Sequence, residues 1–410
     1  MTIIWATILI LGVLITIHEL GHFIAARSVG IRVERFSIGI PPRFVSLTST
    51  NDGWLFCLFF YKRSHGRLSW QPVFKKMISK PGRIGSKTEY VIALLPLGGY
   101  VKMAGIIDES MDTEINYEDD EFMSKPLWAK LWVMSAGVIM NTILAFAIFS
   151  AIGYTQGMPE VSDEPIVAEL QPDMPAMAAG IQPGDQIISI NGKPIKTWND
   201  LTKSIHTQPN TDISLTILRE DIQIKMDITT SFMPVPTDAG MDTLGVIGII
   251  PEVFYRDMTI GEAFNIGWLR TEGSFGMIIM SLKMLGSGGA SMSDFGGPIM
   301  IAQLAGQTAE AGWVPFLTFM ALISVNLAFI NILPIPGLDG GHIMIHLIEG
   351  ILRRPLTMKA RITIQQIGMA FLLMLMVTVV FNDISECLNS YPLQFQDEIP
   401  KFYSCFFYTS

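Results

Sequence analysis

The sequence has little charge, few cysteines and no excess of basic residues. Only 16 % of its 410 residues are Asp, Glu, Lys or Arg, whereas soluble domains carry about 25 %. Three cysteines are too few for a disulfide framework or a cysteine-based zinc site. A formal net charge of −9 argues against nucleic acid as the main partner. Since half of the residues are hydrophobic and the mean hydropathy is +0.41, the sequence predicts a membrane protein.

Long segments without any charged residue predict where the chain crosses the membrane. They cover 131–159, 311–338 and 362–382, and the shortest would be about 31 Å long as a helix. A fourth apolar run opens the chain and extends to Ile17. It lacks the basic region and the small-residue cleavage site of a secretory signal peptide. We therefore predict four transmembrane helices.

The basic residues are distributed unevenly between the connecting segments. Residues 27–130 hold 15 of the 28 Lys and Arg residues, and the short connection 353–361 holds four more. The middle segment, 155–313, holds 8 basic and 19 acidic residues. Because basic loops stay on the cytoplasmic side, we predict that the two basic segments are cytoplasmic. The N-terminus, the middle segment and the C-terminus are then predicted to lie outside.

The middle segment begins with the pattern of a small soluble domain. Residues 160–230 alternate short β-type runs with Gly, Pro and Asn. Within them, Gly180–Gly192 predicts a turn followed by a strand and resembles the PDZ domain, which binds extended peptides beside one of its strands. A small β-rich module without a ligand groove is the alternative. The next stretch, 264–307, is apolar but interrupted by charges, which favours an amphipathic helix on the outer membrane surface.

A motif with metal-ligand spacing lies inside the first predicted span, where the sequence reads His18-Glu19-Leu20-Gly21-His22. On a helix His18 and His22 share one face a turn apart, so both imidazoles can bind one metal ion. Glu19 lies beside them and can accept a proton from water that the metal activates. Ionisable residues within a span cost roughly 2.5–3.5 kcal/mol each, and a metal would offset this cost. The motif therefore predicts a metal site.

Catalytic zinc usually takes three protein ligands, so a third is expected elsewhere in the chain. Asp339 ends the charge-free third span, near the membrane face that the two histidines also approach. Pro334 and Pro336 break the helix just before it, and a broken helix at membrane depth requires buried protein or a water-lined cavity. Asp339 is the favoured third ligand, and His342 and Glu349 are the alternatives.

Taken together, these motifs resemble those of the site-2 proteases, membrane-embedded zinc metalloproteases, and of their bacterial RseP-like branch. The resemblance rests on six segments in the family's order: 18–22, 26–39, 96–103, 136–141, 180–192 and 338–340. It implies that His18, His22 and Asp339 bind Zn²⁺ and that Glu19 activates the attacking water. The implied activity is endopeptidase cleavage of single-span transmembrane substrates in regulated intramembrane proteolysis, in the bacterial inner membrane. Anti-sigma-factor-type regulators and remnant signal peptides are the implied substrates.

The resemblance also implies how a substrate is held. It places a membrane-inserted β-hairpin at about Glu89–Met103, whose strand edge, with Gly98, Gly99 and Tyr100, could pair with an unwound substrate helix. Asn331 resembles a residue that helps to hold the substrate strand, and a backbone cap at the helix break is the alternative. Two other functions stay open from the residues alone. These are a membrane-tethered PDZ scaffold with a structural metal, and a metal transporter.

Two features depart from the family pattern. One PDZ-like domain is predicted here, where RseP proteins typically have two in tandem. The segment 50–87 is predicted to be an insertion; it holds eight basic residues, one acidic residue and several aromatic ones. This composition suits contact with anionic lipid headgroups, or an ordinary solvated loop. Cys387 and Cys405 could pair in an oxidising compartment.

The predicted fold class is an α-helical membrane protein with four transmembrane helices, a membrane-associated β-hairpin and one extracytoplasmic PDZ-like β-rich domain. The predicted segments are the first transmembrane helix 1–27, the cytoplasmic-side loop with the hairpin 28–130, the second helix 131–155, the PDZ-like domain 160–232, a linker with an amphipathic helix 233–312, the third transmembrane segment 313–345, a cytoplasmic connection 346–361, the fourth helix 362–382 and an outer tail 383–410.

Overall fold

The computed structural model describes residues 2–64, 67–80, 85–106, 116–237, 240–287 and 296–389. The described residues form two compact units, one from those within 1–151 and 265–410 and the other from those within 152–264. The described α-helices are α1 (Thr2–Ser28), α2 (Leu127–Gln156), α3 (Pro175–Ala178), α4 (Trp198–His206), α5 (Ile260–Ser287), α6 (Pro298–Ala311), α7 (Trp313–Ile332), α8 (Asp339–Leu352) and α9 (Met358–Asn389). The described strands are β1 (Val33–Thr50), β2 (Gly53–Ser64), β3 (Arg67–Ser79), β4 (Glu89–Met103), β5 (Met158–Val161), β6 (Val167–Leu170), β7 (Gln186–Ile190), β8 (Lys193–Pro194), β9 (Asp212–Arg219), β10 (Ile222–Thr229), β11 (Ser231–Thr237), β12 (Gly240–Val246), β13 (Ile249–Pro251) and β14 (Val253–Arg256).

Four of the described helices, α1, α2, α7 and α9, are long and apolar enough to cross a membrane. They lie on the four segments that the charge-free runs predict, so the prediction of four apolar helices is confirmed. The chain is less helical than its predicted fold class suggests, since helices account for 51 % of it. The difference comes from the segment between α1 and α2, which forms a sheet.

This sheet has the strand order β3-β2-β1-β4, and both β1 and β4 bend sharply. Residues 33–40 of β1 pair with 95–103 of β4 in antiparallel register, from Val33 opposite Met103 to Ile40 opposite Leu95. The same arm also lies beside 89–92, where the partner numbers rise together from Arg35–Glu89 to Ile38–Ile92. The arm 33–40 therefore lies between the two halves of β4, and the second half of β4 forms the edge.

The predicted hairpin at Glu89–Met103 is therefore wrong in its pairing. The two halves of β4 do not lie side by side, because the first arm of β1 separates them. The predicted insertion 50–87 is not a simple loop either, since it contains the whole of β2 and β3. These two strands extend the sheet beyond residues 43–50 of β1.

The helices of the first unit pack around one face of α1. Ala6, Ile10 and Leu14, spaced four residues apart, are buried against α6 and α7 in a cluster that includes Ala305 and Phe316. Helix α6 packs against the N-terminal half of α1, and the prediction that 264–307 lies on the outer membrane surface stays a prediction. The carboxylate of Asp383 in α9 accepts hydrogen bonds from the backbone N–H groups of Gly297 and Ile299, which caps the N-terminus of α6.

The second unit is a β-rich domain around the sheet β10-β9-β7-β8. Alternate residues of β9, Ile213, Leu215 and Ile217, are fully buried in its core. Buried Asp185 accepts two hydrogen bonds from Arg219 at 2.7 Å. Burial alone would raise the pKa of Asp185, but this pairing holds the pKa below its ordinary value.

Several predicted segment boundaries differ from the observed ones, the largest difference arising where late strands pair with earlier ones. The β-rich unit ends at residue 264 rather than 232, because β13 pairs with β6 and β14 pairs with β5. The predicted third segment, 313–345, is two helices, since α7 ends at Ile332 and α8 begins at Asp339 after a short non-helical connection. Helix α9 begins earlier and ends later than predicted. Cys405 and the side chain of Cys387 lie outside the described residues, so their predicted pairing stays a prediction.

Candidate metal centre

Three potential ligand atoms converge between α1 and α8. The Oδ2 atom of Asp339 lies 3.1 Å from Nε2 of His18 and 3.2 Å from Nε2 of His22. The two Nε2 atoms are 3.2 Å apart. Both histidines are buried, and Asp339 is largely enclosed. The structure thus brings together the three residues that the sequence predicts as ligands.

The triangle has the size that zinc requires. Nitrogen and oxygen ligands lie about 2.0–2.2 Å from tetrahedral zinc, which places them roughly 3.3–3.6 Å from one another. The observed separations of 3.1–3.2 Å are only slightly shorter. Oδ2 of Asp339 is buried without a hydrogen-bond partner, an arrangement that costs free energy unless a cation lies beside it. The donor set, two imidazoles and one carboxylate, is also one that catalytic zinc uses.

The surroundings of His22 hold its ring in the form that binds metal. Nδ1 of His22 lies 2.8 Å from the backbone carbonyl oxygen of Val133 in α2. A carbonyl oxygen can only accept a hydrogen bond, so the proton of neutral His22 belongs on Nδ1. Nε2 then keeps its lone pair and faces Asp339. Helix α2 therefore sets both the tautomer and the orientation of this ligand.

Asn141, also in α2, occupies the equivalent position beside His18. Its fully buried side-chain amide lies 3.4 Å from Nδ1 of His18, and its backbone carbonyl accepts a hydrogen bond from Ser324 in α7. The amide oxygen and nitrogen have the same shape, so their assignment follows from the partner. A metal on Nε2 leaves the proton on Nδ1, and the amide oxygen would then face His18. The sequence alone does not assign Asn141 this position.

Two glycines let α1 and α2 approach closely enough for these contacts. A Cβ atom on Gly137 would lie 2.5 Å from Cε1 of His18 and 2.6 Å from Nε2 of both histidines. A Cβ atom on Gly21, in the middle of the motif, would collide with the backbone oxygen of Ala136. Both helices would have to separate to accept a side chain at either position. Gly137 thus leaves the space in which an ion would sit.

Asp339 reaches the histidines because α7 ends before it. Leu333 adopts an extended conformation after the last turn of α7, and α8 begins at Asp339 itself. A Cβ atom on Gly340 would collide with the carbonyl oxygens of Ile332 and Leu333. The start of α8 therefore packs directly on the end of α7 and directs the Asp339 carboxylate toward α1.

Glu19 joins the site to the edge of the sheet. Its Oε2 atom accepts a hydrogen bond of 3.0 Å from the backbone N–H of Val101. Val101 belongs to the second half of β4, which pairs on one side with residues 33–40 of β1. On its other side no strand of the described residues is paired, and α1 lies there. The carboxylate that the motif predicts as the base is thus fixed against this open edge.

The predicted substrate-binding residues divide into two groups. Gly98, Gly99 and Tyr100 lie on the open half of β4, where the Gly98 carbonyl accepts a hydrogen bond from Thr16 of α1 and the Tyr100 hydroxyl accepts one from Arg35. Gly98 has φ near +104°, a backbone conformation that favours glycine, and it packs against Ile15. Asn331 lies half-buried in the last turn of α7, and its side chain makes no hydrogen bond within the described part of the chain.

The two alternative third ligands are not part of the triangle. His342 lies one turn along α8 from Asp339 and is not among the converging ligand atoms of the described residues. Glu349 is engaged elsewhere: it pairs with Arg361 at 2.6 Å and with His346 at 3.2 Å, and it accepts a hydrogen bond from the Leu356 backbone. Its contacts link α8 to α9.

Comparison with protein-family models matches residues 6–64 and 73–375 to peptidase family M50. The matched residues include all three converging ligands, Glu19 and the whole of β4. The chain belongs to peptidase family M50. It is accordingly a zinc metalloprotease of the site-2 protease type, and a membrane protein with several apolar helices.

Curated relatives of this M50 peptidase align over nearly their full length. It is 28 % identical to the zinc metalloprotease RasP of Bacillus licheniformis, over 92 % of this chain and 98 % of the relative. It is 27 % identical to the regulator of sigma-W protease RasP of Bacillus subtilis, over 92 % and 97 %. It is 28 % identical to the regulator of sigma E protease of Haemophilus influenzae, over 93 % and 99 %.

Among solved structures, the peptidase is similar to the PDZ domain of an SdrC-like protein from Listeria monocytogenes. The match has 22 % sequence identity and a TM-score of 0.18, and it covers 22 % of this chain and 90 % of that domain.

Replacing Asn141 with leucine should weaken zinc binding by about 10–100-fold, the usual effect of removing a partner of a metal-binding histidine. Competition with a chromogenic chelator would measure the affinity. Thr142→Val is the matched control, because the Thr142 hydroxyl donates only to Val138 within its own helix. Equal zinc affinity in Asn141→Leu and Thr142→Val would show that the amide does not orient His18.

Proposed function

We propose that this peptidase hydrolyses transmembrane segments of other membrane proteins, with His18, His22 and Asp339 as the zinc ligands and Glu19 as the catalytic base. The observation that carries the proposal is the ligand triangle of 3.1–3.2 Å on a helix that is itself long and apolar enough to span a membrane. A zinc site at that place supports chemistry on a peptide bond within the bilayer. The proposal therefore covers both the class of substrate and the residues that act on it.

The protein residues divide the chemistry between them. His18, His22 and Asp339 would hold the zinc ion, which would supply a Lewis acid to polarise a peptide carbonyl and activate water. The described residues bring together three candidate ligands, and catalytic zinc uses three protein ligands where structural zinc uses four, which favours a catalytic site. Glu19 accepts the proton of the attacking water and returns it to the leaving nitrogen. Val133 and Asn141 keep the two imidazoles oriented during the reaction.

The open edge of β4 supports a way of presenting the substrate. In a helix the backbone N–H and C=O groups are bonded to one another, so the segment around the scissile bond must first unwind into an extended conformation. The half of β4 from Gly98 to Val101 pairs with one strand, β1, among the described residues and lies next to Glu19, and an extended segment could be added there as a further strand. Pairing fixes the substrate backbone relative to the base. We assign Gly98, Gly99 and Tyr100 to this binding edge, and Asn331 to the opposite side of the substrate.

The remaining assignments follow the family and the predicted topology. Relatives are named regulators of sigma-W and sigma E proteases, which supports anti-sigma-factor-type membrane proteins as substrates, with remnant signal peptides as a second class. We place the peptidase in the bacterial inner membrane, with the β-rich unit outside and the zinc site near the cytoplasmic side. The β-rich unit is PDZ-like in our interpretation and would bind a peptide segment.

Removal of zinc tests the proposal directly. The purified full chain, reconstituted with a model single-span substrate, should cleave it, lose at least about 90 % of this activity after treatment with a strong chelator, and regain it on addition of one equivalent of Zn²⁺. Gel analysis and mass spectrometry of the products would locate the cut. If the zinc-loaded protein cleaved none of several substrates, the alternative of a membrane-tethered PDZ scaffold with a structural metal would be favoured. Zinc movement across vesicle membranes would favour the transporter.

A further inference from the structure

Asp339 follows directly on a tight turn, residues 335–338. A hydrogen bond of 3.1 Å joins the N–H group of the last residue of this turn to the carbonyl oxygen of the first. Pro336 and Gly337 are the two central residues, and Gly337 has φ near +101°, as the third residue of a type II turn requires. Helix α8 begins at the next residue, so a displacement of the turn displaces the Asp339 carboxylate as well.

Helix α9 supports this turn at Gly368. A Cβ atom on Gly368 would collide with the carbonyl group of Pro336, so the backbones of α9 and the turn are in direct contact there. One turn further along α9, Leu372 lies 3.2 Å from the position that a Cβ atom on Gly337 would take. A side chain at position 368 would therefore push the turn away from α9.

The same helix holds the other end of α8 through Arg361. Its Nη2 atom lies 2.6 Å from Oε1 of Glu349, and the same oxygen accepts a hydrogen bond of 2.7 Å from the Leu356 N–H. Its Nη1 atom donates to the sulfur of Met123, which lies just before α2. The side chains of Arg361 and Glu349 are each only 10 % exposed. Loss of one partner would leave the other charge shielded from water and unpaired, so the pair resists separation.

A third contact fixes the rotation of α8 about its axis. Nδ1 of His346 lies 3.2 Å from Oε2 of Glu349, and the His346 ring lies 5.4 Å from that of Phe122. Both His346 and Phe122 are buried. A carboxylate can only accept hydrogen bonds, so the ring nitrogen donates. Glu349 thus joins α8 both to α9 and to the segment that leads into α2.

The spacing of these contacts turns α9 into a support for the whole of α8. Arg361 and Gly368 are seven residues apart, so they share one face of α9 and are separated by roughly 10 Å. Along α8, Asp339 and Glu349 are ten residues apart, about 15 Å. One continuous helix joins them, so the contact at Glu349 limits how far Asp339 can move along the axis or rotate.

We propose that Arg361 and Gly368 are positioning residues of the zinc site, through which α9 holds the Asp339 carboxylate against the two histidines. This inference rests on the proposed function, because it takes Asp339 as the third zinc ligand. Helix α2 orients the imidazoles by its own contacts, at Val133 and Asn141. The nitrogen ligands and the oxygen ligand are therefore positioned by two different helices, and α9 acts without contributing a ligand.

Metal affinity and the visible spectrum of the cobalt-substituted full chain would test Arg361. Arg361→Met keeps the apolar stem and removes the cation; Lys359→Met is the matched control, because Lys359 is exposed on the same helix. We expect Arg361→Met to bind zinc about tenfold more weakly, the lower end of the effect of removing a support of a metal ligand. The d–d absorption of bound Co²⁺, which depends on the placement of the ligands, should change as well. The control should show neither effect, and Arg361→Lys, which keeps the charge, should regain most of the affinity.

Gly368→Ala tests the second contact independently. It should weaken zinc binding at least about tenfold and change the cobalt spectrum, because the turn before Asp339 is displaced. Gly276→Ala in α5 is the matched control, since a Cβ atom there would meet nothing within 4 Å. Thermal unfolding of the metal-free chains shows which variants are folded. If Arg361→Met is not folded, Arg361→Lys and Gly368→Ala decide the question.

Asp339→Ala, measured in the same way, separates this inference from the proposed function. Wild-type zinc affinity in Asp339→Ala would overturn the ligand assignment, and this inference with it. If Asp339→Ala loses zinc while Arg361→Met and Gly368→Ala keep the wild-type affinity and cobalt spectrum, the ligand assignment stands and α9 does not position it. Equal losses in Arg361→Met and Lys359→Met would refute the ion pair as the cause, because they would follow from net charge alone.

Discussion

Glu19→Gln is expected to lower cleavage by about 10²–10⁴-fold while zinc content stays at the wild-type level. The amide keeps the size of the side chain and can still lie beside the Val101 N–H, but it cannot take a proton from water, and general base catalysis typically contributes this factor. The three ligand atoms belong to other residues, so the metal should stay bound. Cleavage of a single-span substrate and elemental analysis of zinc would be measured on the same preparation.

Glu34→Gln is the control for this substitution. Glu34 lies in β1 and pairs with Lys102 at the surface, at 3.5 Å, so the same chemical change there should leave activity unchanged. Full activity of Glu19→Gln with normal zinc would show that another group accepts the proton. Loss of both activity and zinc would instead assign Glu19 a role in holding the metal.

Gly137→Ala is expected to reduce zinc binding by at least about tenfold and activity with it, although alanine is the better helix former. The added Cβ would stand 2.5–2.6 Å from ring atoms of both histidines, closer than non-bonded atoms approach. Either the rings rotate or α1 and α2 separate, and the ligand triangle opens in both cases. Zinc affinity would be measured by chelator competition.

Gly273→Ala supplies the comparison. Gly273 is also within a helix, α5, and a Cβ atom there would meet nothing within 4 Å. This variant should bind zinc and cleave substrate as the wild type does. If Gly137→Ala behaved in the same way, the space beside the histidines would not be needed for the metal, and the ligand assignment would have to be revised.

The three candidate ligands could be predicted because the residue types themselves, His and Asp, bind metal ions. His18 and His22 follow the helical repeat, and an Asp at the end of an apolar run is conspicuous. The contacts that orient the two histidines could not be predicted, because these contacts depend on which face of α2 packs against α1. Nothing local distinguishes Asn141 from an ordinary polar residue in a span. The carbonyl of Val133 has no sequence signal at all, since every residue has one.

The sheet was the least predictable part of the first unit. Strand pairing joins residues far apart in sequence, and β1 and β4 each bend and pair in two registers, which periodicity cannot reveal. The composition of the segment 50–87 showed that it is basic and aromatic, but it did not predict that the segment forms two strands. The predicted boundary of the β-rich unit was wrong for a similar reason, because β13 pairs with β6 and β14 pairs with β5 over long sequence distances.

The position of residues 33–40 between the two halves of β4 has a consequence for biosynthesis. The first arm of β1 leaves the ribosome long before either of its neighbours, and it cannot find both until the chain has reached Met103. Long-range pairing of this kind is slow, because a large loop must close before contacts repay its entropy. Asp339 is synthesised later still, more than 200 residues after Met103. A nascent chain that has not reached Asp339 lacks one of the three proposed zinc ligands, so we expect it to cleave nothing in its own membrane until its synthesis is nearly finished.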